Sequence, residues 1–331
     1  MLKFIVKRVL MMLPTLFLIS ILAFVIIQLP PGDYLTTYIM QLESTGALVD
    51  QAKIEELTLR YGLDKPMYVQ YLSWVGGIFH GDFGYSFEWS RPVGDLIWNR
   101  LGLTLVVSLV TLLFTWVVSF LAGIYSATHQ YTLGDYLIST LGFIGLAVPN
   151  FMLALILMWF AYSAFGLSIG GLFSPEYGQA PFSLAKLIDL GRHIWIPVIV
   201  LGLSGTAGLI RTLRANLLDE LDKPYVTTGR AKGLTEKRIL YKYPLRVAMI
   251  PFVSTVGWSL AGLVSGETIV AVVLNLATTG PLLLRALQNQ DMYLAGSFIM
   301  MLSVLTVIGT LVSDILLAWV DPRIRAEGAG T

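Results

Sequence analysis

The sequence contains no cysteine and little charge. None of its 331 residues is Cys, and only 13% are charged, where a soluble globular domain carries about 25%. The absent cysteines exclude disulfides, cysteine-ligated zinc and iron–sulfur clusters. So few charges cannot cover the surface of a soluble protein of this length, which excludes soluble enzymes and disordered chains. The 56% apolar content and a mean hydropathy of +0.73 indicate a protein that lies in lipid.

Residues for catalysis, metal binding or nucleic-acid binding are also missing. His80, His129 and His193 lie far apart in the sequence and show no metal-ligand spacing. The net charge of +1 provides no basic field for nucleic acid. There is no G-x-x-x-x-G-K-[ST] phosphate-binding loop and no nucleophile–base pair. We therefore expect no catalytic residue, no metal and no cofactor in this chain, and no enzyme activity of its own.

Long stretches without Asp, Glu, Lys or Arg predict an all-α integral membrane protein with six transmembrane helices. A span needs roughly 20 mostly apolar residues. The predicted spans are about 9–29, 101–127, 136–165, 193–215, 248–274 and 294–319. The third span can be one helix or two short helices. The stretch 136–175 has room for two, and Pro149 lies where it can kink or break a helix. After the fifth span, Asn275 and the following turn residues predict an exposed loop.

The distribution of basic residues predicts that both termini are cytoplasmic. Of 22 Lys and Arg, 14 then lie on the cytoplasmic side, nine of them in the segment 211–247. Splitting the third span would place that segment outside. The first span is a retained anchor rather than a signal peptide, because its apolar run is long and no cleavage site ends it. Arg211 and Arg214 end the fourth span and are expected to snorkel to the cytoplasmic surface.

Three regions follow from this topology. Residues 1–100 contain the anchor helix and a long exofacial loop or scoop. Residues 101–320 form the membrane core, which includes the cytoplasmic loop 211–247. Residues 321–331 are a cytoplasmic tail. The exofacial loop is either a platform that docks a partner or covers a pore mouth, or an amphipathic element lying on the membrane surface.

The segment 211–247 predicts two short helices that meet at Gly233. Pro224 suits a helix start, Gly233 can take the left-handed conformation that ends a helix, and Thr235 can cap the next one. The alternative is an ordinary solvated basic loop, which every helical membrane protein has.

Motifs along the whole chain resemble one family of ABC importer permeases. Thr227-Thr-Gly229-Arg-Ala-Lys-Gly233-Leu with Tyr243-Pro-Leu-Arg246 is similar to the cytoplasmic EAA motif of the dipeptide/oligopeptide/nickel permeases. Further similar motifs are Pro31-Gly32-Asp33, Tyr61-Gly-Leu-Asp-Lys-Pro66 with Gln70-Tyr71, Gly81-Asp82-Phe-Gly84-Tyr-Ser86, Arg91-Pro92-Val93, Val148-Pro149-Asn-Phe151 and Asp321-Pro-Arg-Ile-Arg325.

The resemblance implies a type I ABC importer core in a prokaryotic cytoplasmic (inner) membrane. Its implied partners are a second homologous permease, two ATP-binding cassette ATPases that bind ATP-Mg, an extracytoplasmic solute-binding protein and the bilayer, without nucleic acid. The motif assigns ATPase coupling to Pro224, Thr228, Gly229, Arg230, Ala231, Lys232, Gly233, Leu234 and Thr235. Two short helices suit a groove in the ATPase.

Two departures from the family pattern bear on the solute and the loop. Residues 272–285 differ from the usual sequence near the pore mouth, so the expected solute is an oligopeptide or an oligosaccharide, the second consistent with 12% aromatic residues. The usual Ala of the EAA motif is Gly229, which we expect to relax the local helix.

Charged and turn residues inside the membrane are candidates for a gate or the solute path. Glu267, Pro149 and Asn150 form this set, although Glu267 can equally be a structural carboxylate, and we expect a structural role for Asp314. The competing function is an ion-coupled secondary transporter, against which stands the absence of an internal repeat. A membrane-embedded enzyme is the third class.

Overall fold

The computed structural model describes residues 2–28, 39, 44, 54–55, 58–59, 62, 64–166, 170–178, 180–255, 259, 262 and 268–320. In these ranges the chain is almost entirely helical. The helices are α1 Leu2–Gln28, α2 Met67–Phe79, α3 Val93–Thr128, α4 Leu133–Ala147, α5 Asn150–Phe165, α6 Leu184–Leu221, α7 Pro224–Ala231, α8 Glu236–Lys242, α9 Pro244–Ala248, α10 Ile250–Ser254, α11 Thr268–Val273, α12 Thr279–Gln288 and α13 Met292–Val320. The strands β1 Tyr85–Ser86 and β2 Arg91–Pro92 form a short antiparallel hairpin that the all-α prediction did not include.

Among the described residues, four helices are long and apolar enough to cross a bilayer, and they coincide with the first, second, fourth and sixth predicted spans. They are α1, α3, α6 and α13. α6 has 38 residues, a length of about 57 Å at 1.5 Å per residue, whereas the hydrocarbon core is about 30 Å thick. α6 is therefore longer than one bilayer crossing requires, and α7 follows its C-terminal end.

The third predicted span is not one continuous helix. α4 and α5 are bent by 107° relative to each other across Val148 and Pro149. Val148 is extended, with φ −84° and ψ 123°, as a residue before proline prefers. Pro149 lacks the N–H that would continue the backbone hydrogen bonds of α4. The segment 136–165 is thus broken into two helices, and the break lies at the proline that the sequence marked for a kink or a break.

The region after residue 247 differs from the prediction in one respect. Of the predicted fifth span, 248–274, the structure describes the last residue of α9, then α10, α11 and a few single residues, so that span remains a prediction. The expected exposed loop after it is wrong, because α12 occupies 279–288 and buries Thr279, Leu282 and Ala286. Spacings of three and four residues place these three side chains on one helix face.

The chain divides into two compact units, which are described separately. The first comprises 1–9, 103–277 and 306–331, and the second 10–102 and 278–305. In the second unit, the hairpin is fastened by Asp291, whose carboxylate accepts hydrogen bonds from the Ser86 hydroxyl and the Glu88 N–H. Gly84, at φ +84°, packs closely on the Tyr293 ring. A Cβ added at Gly84 would lie only 2.7 Å from Cδ1 of Tyr293.

Candidate ATPase-coupling site

Two short helices in the first unit meet at Gly233, as predicted. Pro224 occupies the first turn of α7, and Gly233 follows α7 with φ +75°. A Cβ at Gly233 would contact nothing within 4 Å, so only the backbone conformation requires glycine there. The Gly233 N–H donates to the Arg230 carbonyl oxygen at 2.9 Å and closes the end of the helix.

The start of α8 is stabilised by an ion pair rather than by the predicted cap. Thr235 is extended at the N-cap position, but its side chain makes no capping hydrogen bond. Instead, Arg230 donates to Glu236 through Nε–Oε1 at 2.8 Å and Nη2–Oε2 at 3.1 Å. This hydrogen-bonded pair lowers the pKa of Glu236 and raises that of Arg230. It joins α7 to α8 across the glycine.

A phenol connects the start of α7 to the end of α6. The Tyr225 hydroxyl donates to the Glu220 carboxylate, and the Tyr225 ring lies 6.2 Å from the Tyr243 ring, centroid to centroid. Partial burial, and then the neighbouring Glu220 charge, raise the pKa of Tyr225. The phenol therefore remains a protonated donor at neutral pH.

The inner faces of α7 and α8 pack through Val226, Gly229 and Ile239, all of which are buried. A Cβ at Gly229 would lie 3.3 Å from Cγ1 of Ile239, closer than ordinary contact. The departure from the usual Ala therefore has a packing reason, since Gly229 lets the two helices approach.

Substitutions at Gly229 test this packing. We expect Gly229→Leu to force α7 and α8 apart, at a cost of about 1–3 kcal/mol for overpacking. Gly229→Ala should be nearly neutral, because its gain in helix propensity of about 1 kcal/mol offsets mild crowding. Hydrogen exchange of the α7 and α8 amides reports the change, with Ala231→Leu on the exposed face of α7 as the matched control. Unchanged protection in Gly229→Leu contradicts the packing role.

The outer face of the pair carries most of the predicted coupling residues. Exposed are Pro224, Thr228, Arg230, Ala231, Lys232, Gly233 and Thr235, whereas Gly229 is buried and Leu234 half-buried. The structure thus brings the nine residues together on one helix pair. Seven of them are accessible to a partner, Leu234 is partly accessible, and Gly229 lies inside.

A buried apolar cluster joins this helix pair to the long helices. It consists of Ala127 of α3, Leu213 and Leu217 of α6, Leu245 and Ala248 of α9, and Phe252 of α10, with Leu240 of α8 packed against it. α3 approaches α6 so closely that a Cβ at Gly123 would lie 3.0 Å from Cδ2 of Leu213. Because such cores are densely packed and transmit strain, a displacement of α8 reaches α6 and α3.

An ion pair with a buried carboxylate, which sequence reasoning missed, joins the C-terminal part of α6 to α4. Arg214 donates to Asp135 through Nε–Oδ1 at 3.1 Å and Nη2–Oδ2 at 2.9 Å. Asp135 is 3% exposed and also accepts hydrogen bonds from the Ser126 hydroxyl and the Tyr131 N–H. The expectation that Arg214 snorkels to the surface is therefore wrong. The two residues lie 79 positions apart, and no local pattern indicates such a partner.

The remaining charged and turn candidates lie elsewhere. Asp314 of α13 pairs with Arg8 of α1, Nε–Oδ2 3.3 Å, in agreement with a structural role. Pro149 is exposed at the α4–α5 bend, and Asn150 begins α5 half-buried. Glu267 lies outside the described residues. Within the described ranges, no group of three or more His, Asp or Glu side chains could hold a metal ion.

Comparisons with known proteins agree with the motifs. Residues 119–326 match the family described as binding-protein-dependent transport system inner membrane component, and 1–110 match its N-terminal family. Oligopeptide transport system permease protein AppB of Bacillus subtilis (strain 168) is 36% identical over 324 residues, which cover 97% of this chain and 99% of AppB. Glutathione transport system permease protein GsiC of Escherichia coli (strain K12) is 31% identical over 325 residues, 98% and 99% of the two chains.

These matches extend over nearly the entire length of the chain at identities that establish homology, so the predicted resemblance is confirmed. Together with its long apolar helices, they make the protein an integral inner-membrane protein. The chain belongs to the binding-protein-dependent transport system inner membrane component family, and it is a permease subunit of an ABC importer of the peptide/nickel type.

Proposed function

We propose that this permease pairs with a second, homologous permease and that cytoplasmic ATPases drive the pair through the α7–α8 helices. The observation that carries this proposal is the exposed helix pair held rigidly on the end of α6. α7 and α8 are cross-linked by Arg230 and Glu236 and attached to the Leu213, Leu217 and Phe252 cluster. A helix pair seated in an ATPase groove would move α6 and α3 as the ATPases close.

The proposed topology has six spans and two cytoplasmic termini. α4 and α5 together count as one broken span, so α6 runs from the outside to the cytoplasm. The support is the positive-inside rule, since the segment 211–247 carries nine Lys and Arg. In this topology residues 30–100, with α2 and the hairpin, form an exofacial region that the solute-binding protein contacts.

The proposed solute is a peptide. AppB and GsiC, whose lengths this chain covers almost completely, are named as oligopeptide and glutathione permeases. Both solutes are peptides, which favours a peptide over the oligosaccharide that the sequence left open. ATP-Mg would be bound by the ATPases, and Glu267, Pro149 and Asn150 remain proposed gate or path residues.

Reconstitution tests this proposal. The chain is placed in proteoliposomes alone, and with its second permease, ATPases and solute-binding protein, and uptake of radiolabelled di- to pentapeptides is measured. We expect uptake that requires ATP and every subunit. ATPases that bind but do not hydrolyse ATP are the control. Uptake by the chain alone under an ion gradient would identify a secondary transporter and overturn the proposal.

A further inference from the structure

An elongated cavity lies against α6 in the first unit, on the cytoplasmic half of that helix in the proposed topology. Its volume is about 540 Å³, within the range of about 300–1,000 Å³ that is usual for small-molecule sites. Its lining runs along α6 from Leu201 to Thr212, which is about 16 Å at 1.5 Å per residue. Thr115 and Trp116 of α3 form part of the opposite wall. An extended tripeptide, at most about 11 Å long, fits this length.

Three of the five hydroxyl-bearing residues in the wall already use their hydrogens. Thr115 donates to the Gly202 carbonyl oxygen at 3.3 Å, and Thr212 to that of Gly208 at 3.0 Å. Thr255 donates to the Phe252 carbonyl oxygen at 2.8 Å. Each hydroxyl therefore offers lone pairs to the cavity, which suits the N–H groups of a ligand. These three positions are acceptors, whereas a negatively charged ligand group needs donors.

A charged donor comes from Arg211. Arg211 lines the cavity and is exposed, and no ion pair within the described residues involves it. It differs in this from Arg214, one turn further along α6, whose charge is neutralised by Asp135. The Trp116 indole nitrogen has almost no accessible surface, so it does not offer its N–H to the cavity. A guanidinium with no ion-pair partner among the described residues calls for an anionic oxygen acceptor.

We propose that this cavity binds the carboxyl-terminal end of the translocated peptide, with the terminal carboxylate on the Arg211 guanidinium. The proposal rests on the proposed function, since it names how the path recognises a peptide. The apolar wall, including Leu112 and Leu209, tolerates different side chains. The hydroxyl oxygens accept from peptide N–H groups, and Arg211 selects a free carboxylate. Such a site distinguishes peptides from neutral sugars while remaining indifferent to their sequence.

Arginine labelling of the assembled transporter tests the site without requiring transport. The complex in nanodiscs is treated with p-hydroxyphenylglyoxal, and modification of each arginine is followed by mass spectrometry. We expect millimolar trialanine to slow labelling of Arg211 about threefold or more, and trialanine amide to leave it unchanged. Arg192, exposed at the other end of α6, is the internal control. Equal labelling with acid, amide and no peptide overturns the proposal, as does an Arg211 already shielded by the second permease.

Uptake by variants supplies the second measurement. Arg211→Ala should reduce trialanine uptake about tenfold or more, because a charge-assisted hydrogen bond is lost, while Arg211→Lys retains most of it. Arg192→Ala should transport normally. Equal uptake by Arg211→Ala and the wild type contradicts the carboxylate site. If the wild-type complex imports no peptide at all, the proposed function fails, and the labelling result still decides whether Arg211 binds carboxylates.

Discussion

Asp135→Ala is expected to destabilise the first unit by about 1–3 kcal/mol, the usual cost of leaving buried hydrogen-bonding groups without a partner, because the Arg214 side chain is 26% exposed and water can solvate part of its charge. The substitution leaves the Arg214 guanidinium without its two hydrogen bonds to the carboxylate, in a place where Asp135 is 3% exposed. It also removes the acceptor of the Ser126 hydroxyl and the Tyr131 N–H. Denaturation of the purified chain in mixed micelles, followed by tryptophan fluorescence, measures the change in the free energy of unfolding.

A double-mutant cycle separates the pair from its surroundings. Arg214→Ala should be similarly destabilising, and the double variant should cost less than the sum of the two, because no unpaired charge remains. Arg230→Ala, which breaks an ion pair whose side chains are 51% and 69% exposed, is the matched control and should leave global stability unchanged. Additive effects of the two single substitutions would show that Asp135 and Arg214 do not act as a pair.

Gly233→Pro is expected to reduce coupled uptake strongly while the protein still inserts into the membrane. Proline holds φ near −65°, whereas residue 233 has φ +75°. The substitution also removes the N–H that donates to the Arg230 carbonyl oxygen at 2.9 Å. Moreover, Lys232 lies at φ −81° and ψ 3°, a conformation that a following proline disfavours. The α7–α8 junction must therefore change. We expect ATP-dependent uptake to fall about tenfold or more, which corresponds to a loss of about 1.4 kcal/mol of coupling free energy.

Conservative replacements at the same position define the cause. Gly233→Asn should retain most activity, since asparagine tolerates the left-handed conformation, and Gly233→Ala should lie between, with a strain of about 1–2 kcal/mol. Copurification of the ATPases with each variant distinguishes lost docking from lost transmission. Normal ATPase copurification together with full uptake in Gly233→Pro would show that this junction does not couple the ATPases to transport.

The features that sequence predicted well are those with a local cause. Pro224 and Gly233 mark a helix start and a left-handed end through their own backbone restrictions, and the structure has α7 and the φ of +75° where they predict them. Four spans follow from apolar runs alone. Pro149 likewise marks the break of the third span, although the 107° angle between α4 and α5 depends on how each packs against its neighbours.

The failures concern partners distant in sequence. Arg214 looked like a residue at the end of a span, but its partner lies 79 positions earlier. Thr235 has the type of an N-cap residue, yet Arg230 and Glu236 form the stabilising contact instead. From the sequence, Gly229 was expected only to relax the helix of the EAA motif, whereas in the structure it lies against the Ile239 side chain. α12 was expected to be exposed, and its buried face depends on the packing of the second unit.

By itself, the sequence determined that this protein lies in a membrane, where the helices of four spans run, and where the two coupling helices meet. Composition, apolar run length and single-residue backbone restrictions suffice for these, because each acts within a few residues. Only the tertiary structure decided which face of α7–α8 is available to a partner, which arginine of α6 is neutralised by Asp135 and which is left facing a cavity. Those outcomes depend on contacts between distant segments, and a linear pattern of residue types does not contain them.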